Sequence, residues 1–270
     1  MILSGARVGF QDINSVVMLT MAIWWLAISL EALLLVRGFQ QKLFRHFPIF
    51  YLYILFVFIE EFLRFSVYRW YPSHYSQVYW VTQFLSLVIG SALIFEIYRV
   101  GLRRFPGTAK MARYLLLIVF GAVFAKTLAN PSGTLFLWLA QSSVELERNL
   151  RIVQALAILT LVSVFLWYAI PFGRNLKGIL FGYGLFVGMS IVQFTIWYYS
   201  LVDIGRFWSD AQAVSYLFGL ALWASALWSI HAIPEPKPAM QLENDYEALV
   251  ASTRTQLQRT LARLGWAVRL

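Results

Sequence analysis

Residues 49–67 read IFYLYILFVFIEEFLRFSV, an apolar run long enough to cross a bilayer that carries Glu60, Glu61 and Arg64 within it. About a dozen Ile, Leu, Phe and Val residues favour insertion by roughly 0.3–0.6 kcal/mol each, whereas each charge at the membrane centre costs about 2.5–3.5 kcal/mol. The two sums nearly cancel. Such a segment inserts only with its charges neutralised, paired or turned into a protein interior, so these three residues mark the expected polar centre of the molecule.

The rest of the chain has the same character. Hydrophobic residues make up 60% of 270 positions and charged residues 13%, against about a quarter in soluble domains. Mean hydropathy is +0.67. Long apolar runs, rather than short alternating ones, predict an all-α integral membrane protein and not a barrel. Helices are expected at about 15–36, 49–68, 77–98, 112–128, 149–170, 176–200 and 211–230, a seven-transmembrane-helix bundle occupying residues 1–232. No basic run with a short apolar core and small-residue cleavage site opens the chain, so the first helix is expected to act as its own insertion signal.

Orientation follows from the cations. Arg37, Lys42 and Arg45 follow the first helix, Arg99, Arg103, Arg104, Lys110 and Arg113 the third, and Arg174 and Lys177 the fifth. The alternate connections are poor in cations, with Arg69 in one and Arg206 between Asp203 and Asp210 in another. Positive residues stay inside, so the amino terminus is predicted outside and the carboxyl terminus cytoplasmic, in a multi-pass inner-membrane protein. This pattern accounts for the net charge of +9, and no nucleic-acid partner is expected. Cysteine is absent, which removes disulfides, thiol chemistry and cysteine metal sites.

Between the fourth and fifth helices, residues 129–143 read ANPSGTLFLWLAQSS: a turn at Asn130, Pro131 and Gly133, then an apolar stretch too short to span, expected to lie on the bundle or to form a lid. Small residues four apart, Gly178 with Gly182, Gly184 with Gly188, and Ala221 with Ser225 and Ser229, are expected to pack helices within the chain. Residues 233–270 form a cytoplasmic tail. Beyond Pro234, Pro236 and Pro238, Asn244 and Glu247 have the spacing of a capping box. An amphipathic helix is predicted at about 245–264, with Tyr246, Val250, Leu257, Leu261 and Leu264 on one side and Arg254, Arg259 and Arg263 beside them. Its expected partner is the lipid bilayer, with a protein as the alternative.

Candidate ligand-binding or proton-linked residues follow from depth. Glu60 and Glu61 both reach Arg64, four and three residues on; the pair Glu61–Arg64 is expected, with Glu60 as the spare acid. On the outer half of other helices stand Tyr79, Gln83 and Ser86, then Arg151 and Gln154, then Ser190 and Gln193, and finally Gln212, Ser215 and Tyr216. Glu31 is a second protonatable candidate, placed toward the cytoplasmic side, and Glu96 is read as structural through Arg99. The last helix has no lysine for a retinal Schiff base. His46, His74 and His231 fall in separate boundary regions, so neither a metal nor another cofactor is expected. No P-loop, GxSxG or kinase signature occurs. The expectation is a non-enzymatic sensory or accessory protein whose polar outer chamber binds a small or lipidic molecule. The alternatives are a small proton-coupled transporter using the intramembrane glutamates, then an intramembrane enzyme.

Overall fold

The computed structural model describes residues 3–129, 135–198, 202–229 and 239–267, with the backbone alone at 3–17, 19–20, 127–128, 135–144, 194, 197–198, 202–210, 239–241 and 262–267. The expected turn at Asn130, Pro131 and Gly133, His231, the three tail prolines and the side chains of Arg206, Arg263 and Leu264 lie outside the described residues. Eight α-helices are described: α1 (Leu3–Gln40), α2 (Pro48–Trp70), α3 (Tyr75–Gly101), α4 (Pro106–Leu128), α5 (Leu135–Trp167), α6 (Arg174–Tyr198), α7 (Val202–Ala226) and α8 (Ala239–Ala267). No strand occurs among them.

Five segments are long and apolar enough to cross a membrane: Met21–Gln40, Pro72–Gly101, Pro106–Lys126, Glu145–Trp167 and Arg174–Gln193. The chain is therefore a multi-pass membrane protein. By the same measure α2 is burdened by Glu60, Glu61 and Arg64 in its interior, and the apolar part of α7, Ala211–Ala226, is shorter.

Most helices run past their expected ends. The largest difference is at α5, which begins at Leu135 rather than near 149. The apolar stretch expected to lie on the bundle or to form a lid is its first turns, and the charges ahead of the expected start are partnered: Lys126 Nζ of α4 reaches Glu145 at 3.0 Å, and Glu147 reaches Arg151 one turn on at 3.3 Å. At the other end α5 stops at Trp167, before Pro171. Ile170 N–H donates to Phe165 O and Ala169 N–H to Leu166 O, with Ala169 at φ 50°, a left-handed position that glycine usually fills.

Six helices close a ring. Each of α1, α2, α3, α5, α6 and α7 packs on the next, and α7 returns to α1, while α3 and α6 also meet across the middle. The remaining spanning helix, α4, sits outside the ring against α3 and α5, with Tyr114, Leu115, Leu117 and Ile118 exposed as a lipid-facing surface. At one end the α1–α2, α3–α4 and α5–α6 connections converge around Arg45, Arg99, Arg103 and Asn175, so the cation-bearing turns are neighbours in space.

Two helices begin without a local cap. Phe47 precedes Pro48 in α2 and Phe105 precedes Pro106 in α4; proline suits the first helical position, but neither phenylalanine side chain can accept a hydrogen bond. Carboxylates from elsewhere take that part. Buried Glu96 of α3 accepts from Ile49 N–H at 3.1 Å and Phe50 N–H at 2.7 Å, while also pairing with Arg99 at 3.1 Å. Glu243 of α8 accepts from Gly107 N–H at 2.7 Å and Thr108 Oγ1 at 3.3 Å. At the end of α7, Asn175 Nδ2 donates to the carbonyls of Ala226 and Ser229 at 2.9 and 2.8 Å.

Glu243 also corrects the tail. Its helix opens at Ala239, so Asn244 and Glu247 are interior and cap nothing. The first turns dock on the bundle: Leu242 is buried, Tyr246 lies over Gly107, and Tyr168 Oη donates to Asp245 at 2.9 Å, which holds the Tyr168 proton on above its ordinary pKa. Leu249, Val250, Leu257 and Leu261 then stand exposed.

The tightest seam is α6 on α7. A Cβ on Gly178 would lie 2.1 Å from Ala226 Cβ and one on Gly182 would lie 2.3 Å from Trp223 Nε1, an indole whose N–H donates to Ile179 O at 3.2 Å. The expected Gly178–Gly182 contact is thus present. A Cβ on Gly184 would lie 3.6 Å from Ile158 of α5, so that residue also packs within the chain, whereas a Cβ on Gly188 would meet nothing within 4 Å and Ala221 and Ser225 are exposed: the face of α7 that meets α6 carries Gly219, Trp223 and Ala226 instead. Gly178→Val should lower stability in detergent by about 1–3 kcal/mol through overpacking, while Gly188→Val should change it by less than about 0.5 kcal/mol; thermal unfolding of both variants checks this.

Candidate functional site

At the end of the bundle opposite the cation-bearing turns, a cavity of about 590 Å³ opens between the ring helices. All six line it and α4 does not. The spacing of polar residues on separate helices brought most of the expected set together: Glu60, Glu61, Arg64, Tyr79, Gln83, Ser86, Arg151, Gln193, Gln212 and Tyr216 are all on its wall.

Four expected members are elsewhere, among them Ser190, whose hydroxyl donates to Phe186 O at 2.8 Å. Gln154 is fully buried one turn beyond Arg151, where its carbonyl accepts from Arg151 Nη1 at 3.3 Å and its amide donates to Ser91 Oγ at 3.4 Å. Ser215 turns its hydroxyl back to Gln212 O at 2.8 Å. Glu31, expected toward the cytoplasmic side, is fully buried and accepts from Tyr216 Oη at 2.7 Å, one turn along α1 from the cavity residue Ala27. Its other oxygen, Oε2, has no hydrogen-bond partner among the described residues. The hydrogen bond itself places Glu31 at the level of Tyr216, nearer the cavity than its position in the sequence implied.

The ion pairs also differ from expectation. Arg64 pairs with Glu60, not with Glu61. Adjacent helical residues point about 100° apart, and the face shared by Glu60 and Arg64 is the one against α3. There Arg64 Nε donates to Thr82 Oγ1 at 3.0 Å and Nη2 to Gln83 Oε1 at 3.1 Å, with the guanidinium 4.4 Å from the Tyr79 ring centre. Glu61 turns toward α1 and accepts from Trp24 Nε1 at 2.6 Å.

Gln83 links this cluster to a second. Its amide donates to Glu147 Oε2 at 2.7 Å, and Glu147 Oε1 accepts from Arg151 Nη2 at 3.3 Å. Arg151 is 5% exposed, lies 4.6 Å from the Phe186 ring centre, and keeps its Nε–H without a partner. A continuous chain of polar contacts thus runs from Glu60 through Arg64, Gln83, Glu147 and Arg151 to Gln154 and Ser91, across α2, α3 and α5.

Glu147, Thr82, Trp24, Trp80, Tyr53 and Phe186 belong to the site without having been expected there. Only Glu147 had a readable signal, a carboxylate four residues before Arg151, concealed by placing the helix start at 149. The aromatic residues look like any other in a chain that is 17% aromatic. Among the described residues no group of three or more His, Asp or Glu side chains is placed to hold a metal ion. Chemically, the cavity offers fixed charges, amides and aromatic faces around a space large enough for a small molecule.

The swapped pairing has a measurable signature. Arg64→Leu strands Glu60, so adding Glu60→Gln should recover part of the lost stability, with a coupling of about 0.5–3 kcal/mol. Combining Arg64→Leu with Glu61→Gln should recover less than about 0.5 kcal/mol by thermal unfolding in one detergent. No family model matches this chain, and neither does any curated protein or solved structure; what the cavity does has to be read from its own residues.

Proposed function

We propose that the chain is a non-enzymatic seven-span protein of the inner membrane, of sensory or accessory type, that binds a small or lipidic molecule in this cavity from the outer side. The amino terminus is outside and the α8 tail cytoplasmic, in line with the cation-bearing turns. The observation that carries the reading is the cavity itself: about 590 Å³, lined by all six ring helices and by charged groups that are held in place rather than free. Beyond it the bundle is filled. Phe50, Ile54, Leu93, Ile94, Leu180 and Trp223 are fully buried, and the Phe50 and Trp223 rings meet edge to face at 5.2 Å. A chamber above a packed core suits capture of a ligand better than conduction.

Glu31 favours a second reading, proton-coupled transport: a buried carboxylate beside the cavity with one oxygen unpartnered is a place for a proton to come and go.

Native mass spectrometry of the purified protein should retain a bound species that bulk lipid does not account for, and Gln193→Leu combined with Gln212→Leu should release it while the protein stays folded. Recovery of bulk lipid alone would remove the binding reading. Proton-driven flux in proteoliposomes, abolished by Glu31→Gln, would put the transporter in its place. For the topology, Ser73→Cys should label from outside and Lys110→Cys only once the inner face is opened.

A further inference from the structure

Twice on the cavity wall a carboxylate, a guanidinium and an aromatic ring occur as one unit. Glu60 pairs with Arg64, which lies over Tyr79. Glu147 pairs with Arg151, which lies over Phe186. In each the cation is neutralised from one side and covered by a ring from the other, which is how a charge is made acceptable away from water.

A third unit on the same wall has the acid and the ring but no cation. Glu61 is half-buried, takes one hydrogen bond from the Trp24 indole, and has no ammonium or guanidinium within pairing distance among the described residues. Trp24 is held by Phe65 at 5.4 Å and Trp25 at 5.0 Å between ring centres, so its place is fixed without a ligand. Trp80 also faces the cavity, braced edge to face against Tyr79 at 5.1 Å. No described cation lies over Trp24 or Trp80, although rings of this kind attract cations more strongly than Tyr or Phe do. Among the described residues, three carboxylates therefore share the wall with two guanidiniums, and the deficit falls beside tryptophan.

We propose that the missing cation is the ligand's: the cavity takes an organic ammonium or guanidinium with an apolar body, its head beside Glu61 and Trp24 and its body toward Trp80. This rests on the reading of the cavity as a ligand site, and it selects a chemical class within that reading. A neutral molecule leaves Glu61 uncompensated, and an anion adds to the deficit.

The test uses the full-length protein in detergent, with three probes of one shape: phenethylammonium, 2-phenylethanol and 3-phenylpropanoate, titrated by tryptophan fluorescence and by calorimetry. Phenethylammonium should bind about tenfold more tightly than 2-phenylethanol, and Glu61→Gln should reduce that preference to within about twofold, since the charge and not the shape is removed. Glu61→Asp should keep the preference in part, and Glu247→Gln, on the exposed part of α8, should leave it whole. A preference undiminished in Glu61→Gln, or tighter binding of 3-phenylpropanoate, would overturn the cation proposal while leaving the cavity a ligand site. A gain in phenethylammonium affinity on Arg206→Gln would also overturn it, because a resident guanidinium would then be filling the place beside Glu61. Failure of all three probes to bind, with none of them protecting Ser86→Cys from a thiol reagent, would remove the cavity reading together with the proposal.

Discussion

Arg64 stands between α2 and α3 with its guanidinium shared among Glu60, Thr82 and Gln83, and the arrangement of the ring follows from that sharing. A helix carrying three charges cannot face lipid on the charged side. It has to be placed where other helices bring acceptors and donors at the same depth, and α3 does so with Thr82 and Gln83. Gln83 then extends the demand to α5, because its free amide finds Glu147, which in turn neutralises Arg151. The order α2, α3, α5 around the ring is the order of that chain of contacts. With its neighbour in sequence joined directly to α5, α4 is left outside, against the seam, and it carries no part of the polar network among the described residues except Lys126 at its end.

The same requirement operates on the backbone at the opposite end. Helix starts expose N–H groups that need acceptors, and in α2 and α4 the local sequence, Phe-Pro, supplies none. Glu96 and Glu243 come from α3 and α8 to meet them, and Asn175 closes the end of α7 from α6. An unmet buried N–H costs about 1–3 kcal/mol, so each of these contacts ties two helices together as firmly as much apolar packing does. Glu96, Glu243 and Asn175, like Gln83 at the other end, each join one helix to another.

Much of this is legible in the amino-acid sequence. A balance of apolar runs against few charges is a property of single segments, so helical membrane character and the approximate helices can be read directly. The cavity members can be found because residues at equal depth on different helices meet at one level whatever their rotation. Rotation itself is not legible. Whether Arg64 turns toward Glu60 or Glu61 depends on which neighbour offers Thr82, and that is decided by packing between helices. Small-residue spacing misleads at Gly188 and at Ala221 with Ser225 for the same reason: the spacing marks a smooth face without saying which way it points. Glu147 and the tail capping box fail differently, through helix ends. Charges near the start of α5 look like a loop until their partners on α3 and α4 are known, and a capping spacing inside a longer helix is idle.

The ring is closed by α1 and α7, which among the described helices are the only neighbouring pair with neither a connecting turn nor a covering helix between them. Every other wall of the cavity is hinged at one end, or is backed by α4. Among the described residues the polar links across this seam are the Tyr216–Glu31 hydrogen bond and Arg37 stacked at 3.6 Å on Trp228, just past the end of α7. Trp24 and Ala27 stand on one edge of the seam and Gln212 and Ala213 on the other, all on the cavity wall. Apart from apolar packing, those two polar links are what hold this side of the chamber shut among the described residues, so its closure rests on side chains where the other sides are tied by the chain itself.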